Sequence, residues 1–426
     1  MSQTNYFPKI IGAVSAAAFV YFAFSSLMYV SLETYFDHAE PNVIVRSWRL
    51  IQGGHLYYPE TSPNFIMSVY GHVLFIINSI YLKLFGGTIA VSKLAGVVSA
   101  LASVGLFTLF AKKAYGTNLA GLGALIFPCT LLAAAPISIW ARPDPHTILL
   151  VTISLYATTL NSPLIRGWIP AIGTAMCIGL AVNLKAHAFI YFIPLMFGYF
   201  SKNKLSKWPI MATISVAVFL LPFFFHGISL EIYIRRLISM IGGRGIETSL
   251  LYTAVKYSII FLSPVIALIA VLIFERKALK KIDLIYFAAL FLCITASLYS
   301  ASVPGASWYH FLPFLAISTD LILRFSKHLS PNPKAFIGIQ ILFAIAFIIL
   351  SITPQKRFMR NLKNHAWSSD ITREVRKIID DHPGKTIEMG YGQDVASTYK
   401  TTLIRPILTF AGNPTTFTAP AAMELR

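Results

Sequence analysis

Two acids and a few cations stand where this chain could do chemistry. Asp37 and Glu40 occupy a polar stretch, Glu33-Thr-Tyr-Phe-Asp37-His38-Ala-Glu40-Pro41-Asn42, directly after an apolar run. A carboxylate pair near an apolar boundary can have a raised pKa and serve as a general base. The plainer reading is a pair of solvated loop acids, or charges that stabilise a helix start. Asp144 lies in Trp140-Ala-Arg142-Pro143-Asp144-Pro145-His146, where flanking prolines predict an extended backbone that aims its carboxylate. The alternative is an Arg142–Asp144 ion pair that only closes a turn. Lys93 sits one turn into an apolar run, and Lys185 and His187 lie at the junction of two more. Charges so near hydrocarbon are costly unless they snorkel or find a partner, and they commonly mark function. Joined by Arg142, they make a cation cluster suited to a phosphate.

A third turn, Ser302 to Pro313, carries Trp308, Tyr309 and His310. Trp308 fits a membrane aromatic belt, whereas Tyr309 and His310 stay open as groups that could stack on a ligand. The loop from Ser229 to Ser249 bears Glu231, Arg235, Arg236 and Arg244, and reads either as a gate over the site or as a solvated amphipathic face.

The elements that must position these residues are membrane helices. Of the 426 residues, 56% are hydrophobic and 12% charged, a balance no soluble domain of this size needs. Apolar runs recur from Ile10 to Ile352, each near the roughly 20 helical residues that cross a bilayer, and lipid leaves the backbone no option but helix. The formal charge of +18 punctuates these runs and forms no stripe, which argues against nucleic acid. Clusters such as Lys202, Lys204 and Lys207, or Arg276, Lys277, Lys280 and Lys281, mark cytoplasmic loops. Cys129, Cys177 and Cys293 lie far apart inside apolar runs, so neither a disulfide nor a zinc framework is legible. Ile10 to Leu32 is too long for a signal-peptide core and reads as a retained anchor.

Alternation from the basic loops puts Lys112, Lys113 and Arg166 inside, and Arg142, Asp144 and Lys185 outside. Asp37 joins the outer group only if the stretch from about 66 to 86, with His72, Asn78 and Lys83, lies along the outer interface. That leaves about eleven crossings. Within the first outer loop, 33–64, Pro41 and Gly53-Gly54 bracket a short helix. Ile44, Trp48 and Ile51 share one face of it, which predicts a helix lying on the membrane with Arg46 and Arg49 on the other side. The expected architecture is an all-α polytopic membrane domain over 1–353 and a small soluble outer α/β domain over 354–426. In the latter, Arg373 to Lys377 reads as helix, and Thr386 to Met389 and Pro406 to Phe410 read as strands.

The chain resembles the GT-C class of integral membrane glycosyltransferases, most nearly the bacterial relatives of protein O-mannosyltransferase and the aminoarabinose transferase. The resemblance runs through Asp37 to Glu40, Gly53-Gly54-His55-Leu56-Tyr57, Leu84-Phe85-Gly86, Ser92-Lys93-Leu94 and Ala141-Arg142-Pro143-Asp144. It implies a sugar transferred, with inversion, from a polyprenyl-phosphate donor to a lipid, glycan or protein acceptor at the outer face of the bacterial cytoplasmic membrane. It implies Asp37 as general base, with Glu40 and Asp144 as further catalytic acids. The family commonly has Asp and Glu adjacent, whereas His38 and Ala39 intervene here; Lys93 stands where relatives often carry arginine. Lys93, Arg142, Lys185, His187 and Arg46 are then expected at the donor phosphate, and Tyr57, Tyr309 and His310 at the substrate. No cofactor is expected, although His38 beside the two acids leaves room for a divalent ion. The rival is a transporter or lipid flippase, for which the chain lacks an inverted repeat and paired broken helices.

Overall fold

The computed structural model describes residues 6–58, 70–160, 168–200, 207–241, 245–365, 367–387 and 395–413. Among these every regular element is helical. The chain opens with α1 (Tyr6–Ser31), α2 (Ala39–Ile51), α3 (His72–Phe85), α4 (Ile89–Tyr115), α5 (Thr117–Ala133), α6 (Pro143–Ala157) and α7 (Trp168–Val182). A broken stretch follows, with a 3-10 turn (Ala188–Tyr191), α8 (Ile193–Leu195) and a wide turn (Met196–Phe200). Then come α9 (Lys207–Leu220), α10 (Leu230–Ile241), α11 (Thr248–Phe274), α12 (Lys281–Ala301), a 3-10 turn (Trp308–Phe314), α13 (Leu315–His328), α14 (Pro333–Asn364), α15 (Trp367–Asp381) and α16 (Val395–Phe410).

Helices α1, α4, α11, α12 and α14, and α9 continued through its terminal 3-10 turn to Phe224, are long and apolar enough to cross a membrane, and shorter apolar helices include α3, α5, α7 and Ala188–Phe200. This is a multi-pass membrane protein. Polar caps fix where the helices begin: the Thr88 hydroxyl accepts the Val91 amide at 3.1 Å to start α4, and Asn332, followed by Pro333, caps α14. Around the core, α5 packs between α1, α4 and α14, and α4 passes across α6. Gly96 permits that crossing, because a Cβ there would lie 2.1 Å from the Trp140 carbonyl oxygen. Gly71 does the same for the loop before α3, where a Cβ would meet the Asn183 carbonyl at 1.9 Å.

Several expectations change. The interfacial stretch of 66–86 is α3, which starts at His72; residues 66–69 lie outside the described residues. Its 14 residues span about 21 Å, short of a bilayer core of about 30 Å. Helix α2 does not rest its apolar face on lipid. It is buried from Ala39 to Ser47, covered by α3 and α16, and Trp48 meets the Phe410 ring edge-on at 5.2 Å. The strand expected over 406–410 is the end of α16. Leu403, Ile404, Ile407 and Leu408 recur at helical spacing and are buried, so the 3.6-residue period prevails over the local apolar run. Thr386 and Ile387 are irregular, and Glu388 and Met389 lie outside the described residues, as do Arg166, Lys202, Lys204 and Arg244. Helix α14 runs past Ile352 to Asn364, and α15 lies on the first loop, where Thr372 donates to the Glu33 carbonyl at 3.2 Å and Arg376 approaches the Glu33 carboxylate at 3.7 Å.

At the opposite end of the bundle, a second polar network ties helices together. Asp320 of α13 accepts hydrogen bonds from Tyr115 and from Tyr199, the latter at 2.9 Å. Arg324 pairs with Asp320 at 3.4 Å and Asp283 at 3.1 Å, and His328 reaches Asp283 at 3.2 Å. Arg324 is therefore an internal bridge between α13 and α12.

Candidate active site

Four turns converge at one end: the loop after α1, the loop before α6, the turn Asn183–His187, and the 3-10 turn before α13. Asp37 leaves α1 in a tight bend, with its Oδ1 accepting the Ala39 amide at 2.8 Å. The same oxygen meets Arg142 Nη1 at 3.1 Å, and the Asp37 side chain keeps 23% of its surface open. Asp144 is almost sealed, at 1%, and pairs with Lys185 Nζ at 2.7 Å while its Oδ2 accepts the Trp140 indole N–H at 3.0 Å. The ion pairs are thus crossed between loops, and the local Arg142–Asp144 alternative is not the arrangement adopted.

Helix geometry explains the crossing. Asp144 is not in extended backbone: Arg142 is the extended N-cap residue, Pro143 takes the first helical position, and Asp144 lies in the first turn of α6. Its carboxylate faces the positive helix end, and Arg142, outside the helix, is free to swing to Asp37. The Arg142 guanidinium lies over the rings of Trp140 at 4.0 Å, Tyr309 at 4.9 Å and Tyr70 at 5.5 Å, and Lys185 Nζ lies 4.8 Å from the Tyr309 ring centre. Its Nε has no hydrogen-bond partner among the described residues. Burial pulls the Lys185 ammonium below its ordinary range, against the opposing pull of Asp144.

Glu40, expected to share the catalysis, is wholly enclosed. One oxygen accepts the Ala141 amide at 2.9 Å and the Tyr29 hydroxyl; the other accepts the Phe36 amide at 3.3 Å. Burial raises its pKa above the usual carboxylate range. Glu40 binds the first loop to the second. Lys93 is also enclosed, at 0% exposure. Its ammonium donates to the carbonyls of Tyr29 at 2.8 Å and Leu32 at 2.5 Å, closing off the end of α1, where carbonyls lack helical partners. Expected at the donor phosphate, it is engaged here with backbone carbonyls.

His187 and His310 meet at 3.1 Å, and the Tyr191 hydroxyl lies 3.4 Å from His187. Burial, then the Lys185 charge, lowers the His187 imidazole to about 4. Tyr309 stacks on His310 at 4.9 Å. Arg46 and Tyr57 turn elsewhere: Arg46 lies over Phe75 at 5.6 Å, and Tyr57 packs on Tyr233 at 5.6 Å with the Arg236 guanidinium 5.4 Å from its ring centre. The Tyr57 hydroxyl touches the Tyr70 carbonyl at 3.5 Å, which is its link to the Arg142 cluster. Two participants gave little signal in the sequence. Trp140 carries no charge to set it apart in its loop, and Tyr29 lies within an apolar anchor where nothing marks a partner. Trp308 stacks on Tyr257 at 4.4 Å, away from the ion pairs.

As arranged, the carboxylates do not suit a metal: the oxygens of Glu40 and Asp144 and Oδ1 of Asp37 are already engaged. No group of three or more His, Cys, Asp or Glu side chains that could hold an ion occurs among the described residues.

No protein-family model and no curated protein sequence matches the chain. Solved structures do. ArnT from Cupriavidus metallidurans bound to undecaprenyl phosphate superposes with a TM-score of 0.53 at 12% identity, covering 96% of this chain and 77% of ArnT. Its apo form gives 0.52 at 13% over the same shares. The oligosaccharyltransferase of Archaeoglobus fulgidus, in complex with zinc and sulfate, gives 0.52 at 12%, covering 92% of this chain and 61% of that one. The fold is that of the GT-C membrane glycosyltransferases.

Proposed function

We propose that the chain is an inverting glycosyltransferase that takes a sugar from a polyprenyl-phosphate carrier, with Asp37 as general base. The observation that carries this reading is the crossed pair of ion pairs: one partly open carboxylate, Asp37, held 3.1 Å from a buried Arg142 whose Nε is uncommitted. A guanidinium with spare donors can hold a carboxylate and a phosphate together. The GT-C fold, and a structural neighbour bound to undecaprenyl phosphate, support the donor class.

In this mechanism an acceptor hydroxyl attacks the anomeric carbon from the face opposite the phosphate. The bond from that carbon to the phosphate oxygen breaks, and the electron pair leaves on the carrier phosphate. The hydroxyl proton passes to Asp37. A single displacement inverts the anomeric centre, as in inverting sugar chemistry generally. Arg142 and Lys185 stabilise charge on the departing phosphate. Asp144 keeps Lys185 in place, and Tyr309 forms the floor beneath both cations. His187 and His310, in contact at 3.1 Å, line the Lys185 side with ring nitrogens that donate or accept hydrogen bonds. The acceptor is a lipid, glycan or protein. Eleven segments cross the bacterial cytoplasmic membrane, adding α5, α6, α7, Ala188–Phe200 and the 3-10 turn with α13 to the six long helices, and the Asp37 end faces outward.

The test is sugar transfer from an undecaprenyl-phosphate-linked donor by purified wild type and Asp37→Asn. The variant should bind donor yet turn over at least about a hundredfold more slowly. Equal turnover would remove Asp37 from the chemistry.

A further inference from the structure

A groove of about 680 Å³ lies between α1, α5 and α14, apart from the ion-paired site. Val14, Ala18 and Tyr21 of α1, with Leu125 and Cys129 of α5, give it an apolar wall at helical spacings of three and four. Helix α14 supplies the third wall and changes character along its length. Ile348 and Ile352 give way to Lys356, Arg360 and Lys363, which line the same groove and are exposed. The boundary between the two halves is fixed, because Gln355 donates to the Leu132 carbonyl at the end of α5 and accepts from Ser25 of α1 at 3.3 Å. The cations therefore begin where α5 stops. No acid lines the groove, and none of the three cations forms an ion pair among the described residues. This end also carries Asp37, since Phe36 packs on Phe358 at 5.7 Å and on His365 at 4.9 Å.

We propose that the groove binds one anionic phospholipid of the surrounding bilayer, acyl chain against α1 and α5 and phosphate on Lys356, Arg360 and Lys363. An apolar trough that ends in unpaired cations is complementary to a lipid anion at headgroup depth. Its length favours a phospholipid over the polyprenyl carrier. From Ile348 to Lys363 the helix rises about 22 Å, enough for one leaflet's hydrocarbon of about 15 Å plus a headgroup. The bound lipid would brace α14 against Phe36, the residue before the catalytic aspartate.

The experiment places the purified full chain in phosphatidylcholine nanodiscs doped with phosphatidylglycerol and measures retained lipid by native mass spectrometry. Wild type should retain phosphatidylglycerol selectively. The triple variant Lys356→Gln/Arg360→Gln/Lys363→Gln should lose that retention by at least about tenfold. Ile352→Trp, which fills the apolar half and leaves the cations in place, should lose it too. Arg276→Gln/Lys277→Gln, at the far end of the bundle, should keep it. Unchanged retention in the triple variant overturns the site. Loss in the triple variant with full retention in Ile352→Trp reduces it to surface attraction and also overturns it. Displacement by equimolar undecaprenyl phosphate assigns the groove to the carrier and overturns the phospholipid. Thermal unfolding of each variant separates lost binding from lost fold.

Discussion

At the residue scale, two acids three positions apart meet opposite fates. Asp37 stays partly open on a bend, while Glu40 is drawn inside the first turn of α2 by three hydrogen bonds. The crossed pairing makes the charges interdependent. Asp144→Asn leaves the Lys185 ammonium buried without its partner and should lower stability by about 3 to 5 kcal/mol, and adding Lys185→Met should recover much of that loss. Thermal unfolding in detergent measures both, and an unchanged midpoint in the single variant would contradict the pair. His187 offers a pH test. Its folded pKa of about 4 lies below the unfolded value of about 6.5, so the unfolded chain binds the proton first. Its contribution to stability is full above about pH 6.5 and is lost as the pH falls toward 4. His187→Phe should therefore lose less unfolding temperature than wild type between about pH 7.5 and 5, and equal losses would contradict the depressed value. Asp37, Asp144, Arg142 and Lys185 were legible as charges at apolar boundaries. Their pairing was not, because proximity in sequence favours Arg142 with Asp144 and the chain cannot announce that Pro143 turns Asp144 into a helix.

At the scale of elements, the site depends on how closely backbones approach. Gly96 lets α4 slide against the backbone of Ile139 and Trp140, which sets the height of the Trp140 ring beneath Arg142. Gly96→Val should push that loop away and reduce sugar transfer at least about tenfold, since small misplacements of catalytic groups are costly. Tryptophan fluorescence of Trp140, in a background where the other tryptophans are phenylalanine, should shift in parallel, and unaltered transfer would refute the coupling. Helix α2 and the tail show what the sequence obscured. Ile44, Trp48 and Ile51 do form one stripe, but a stripe does not say whether lipid or protein covers it, and here α16 does. The Pro406 run looked like a strand only over five residues; extended back to Leu403 it has helical period.

At the scale of the whole molecule, the all-helical membrane fold was legible because apolar length is a direct physical requirement of lipid. Sidedness rests on loop charge, and cysteine labelling tests it. The native thiols are buried, so His55→Cys near the active end and Lys280→Cys at the other should react from opposite compartments. Reaction from the same compartment would overturn the arrangement. The network around Asp320 bears on the rival reading. A carrier that ferries cargo must part its helices at each face in turn. Here tyrosines from α4 and the broken stretch, an arginine and two aspartates rivet α13 to its neighbours at the face away from Asp37. Prising that face open would strand several buried charges at once, so the face away from Asp37 is fastened, and under the proposed transfer donor and acceptor would have to arrive at the Asp37 end or sideways out of the lipid.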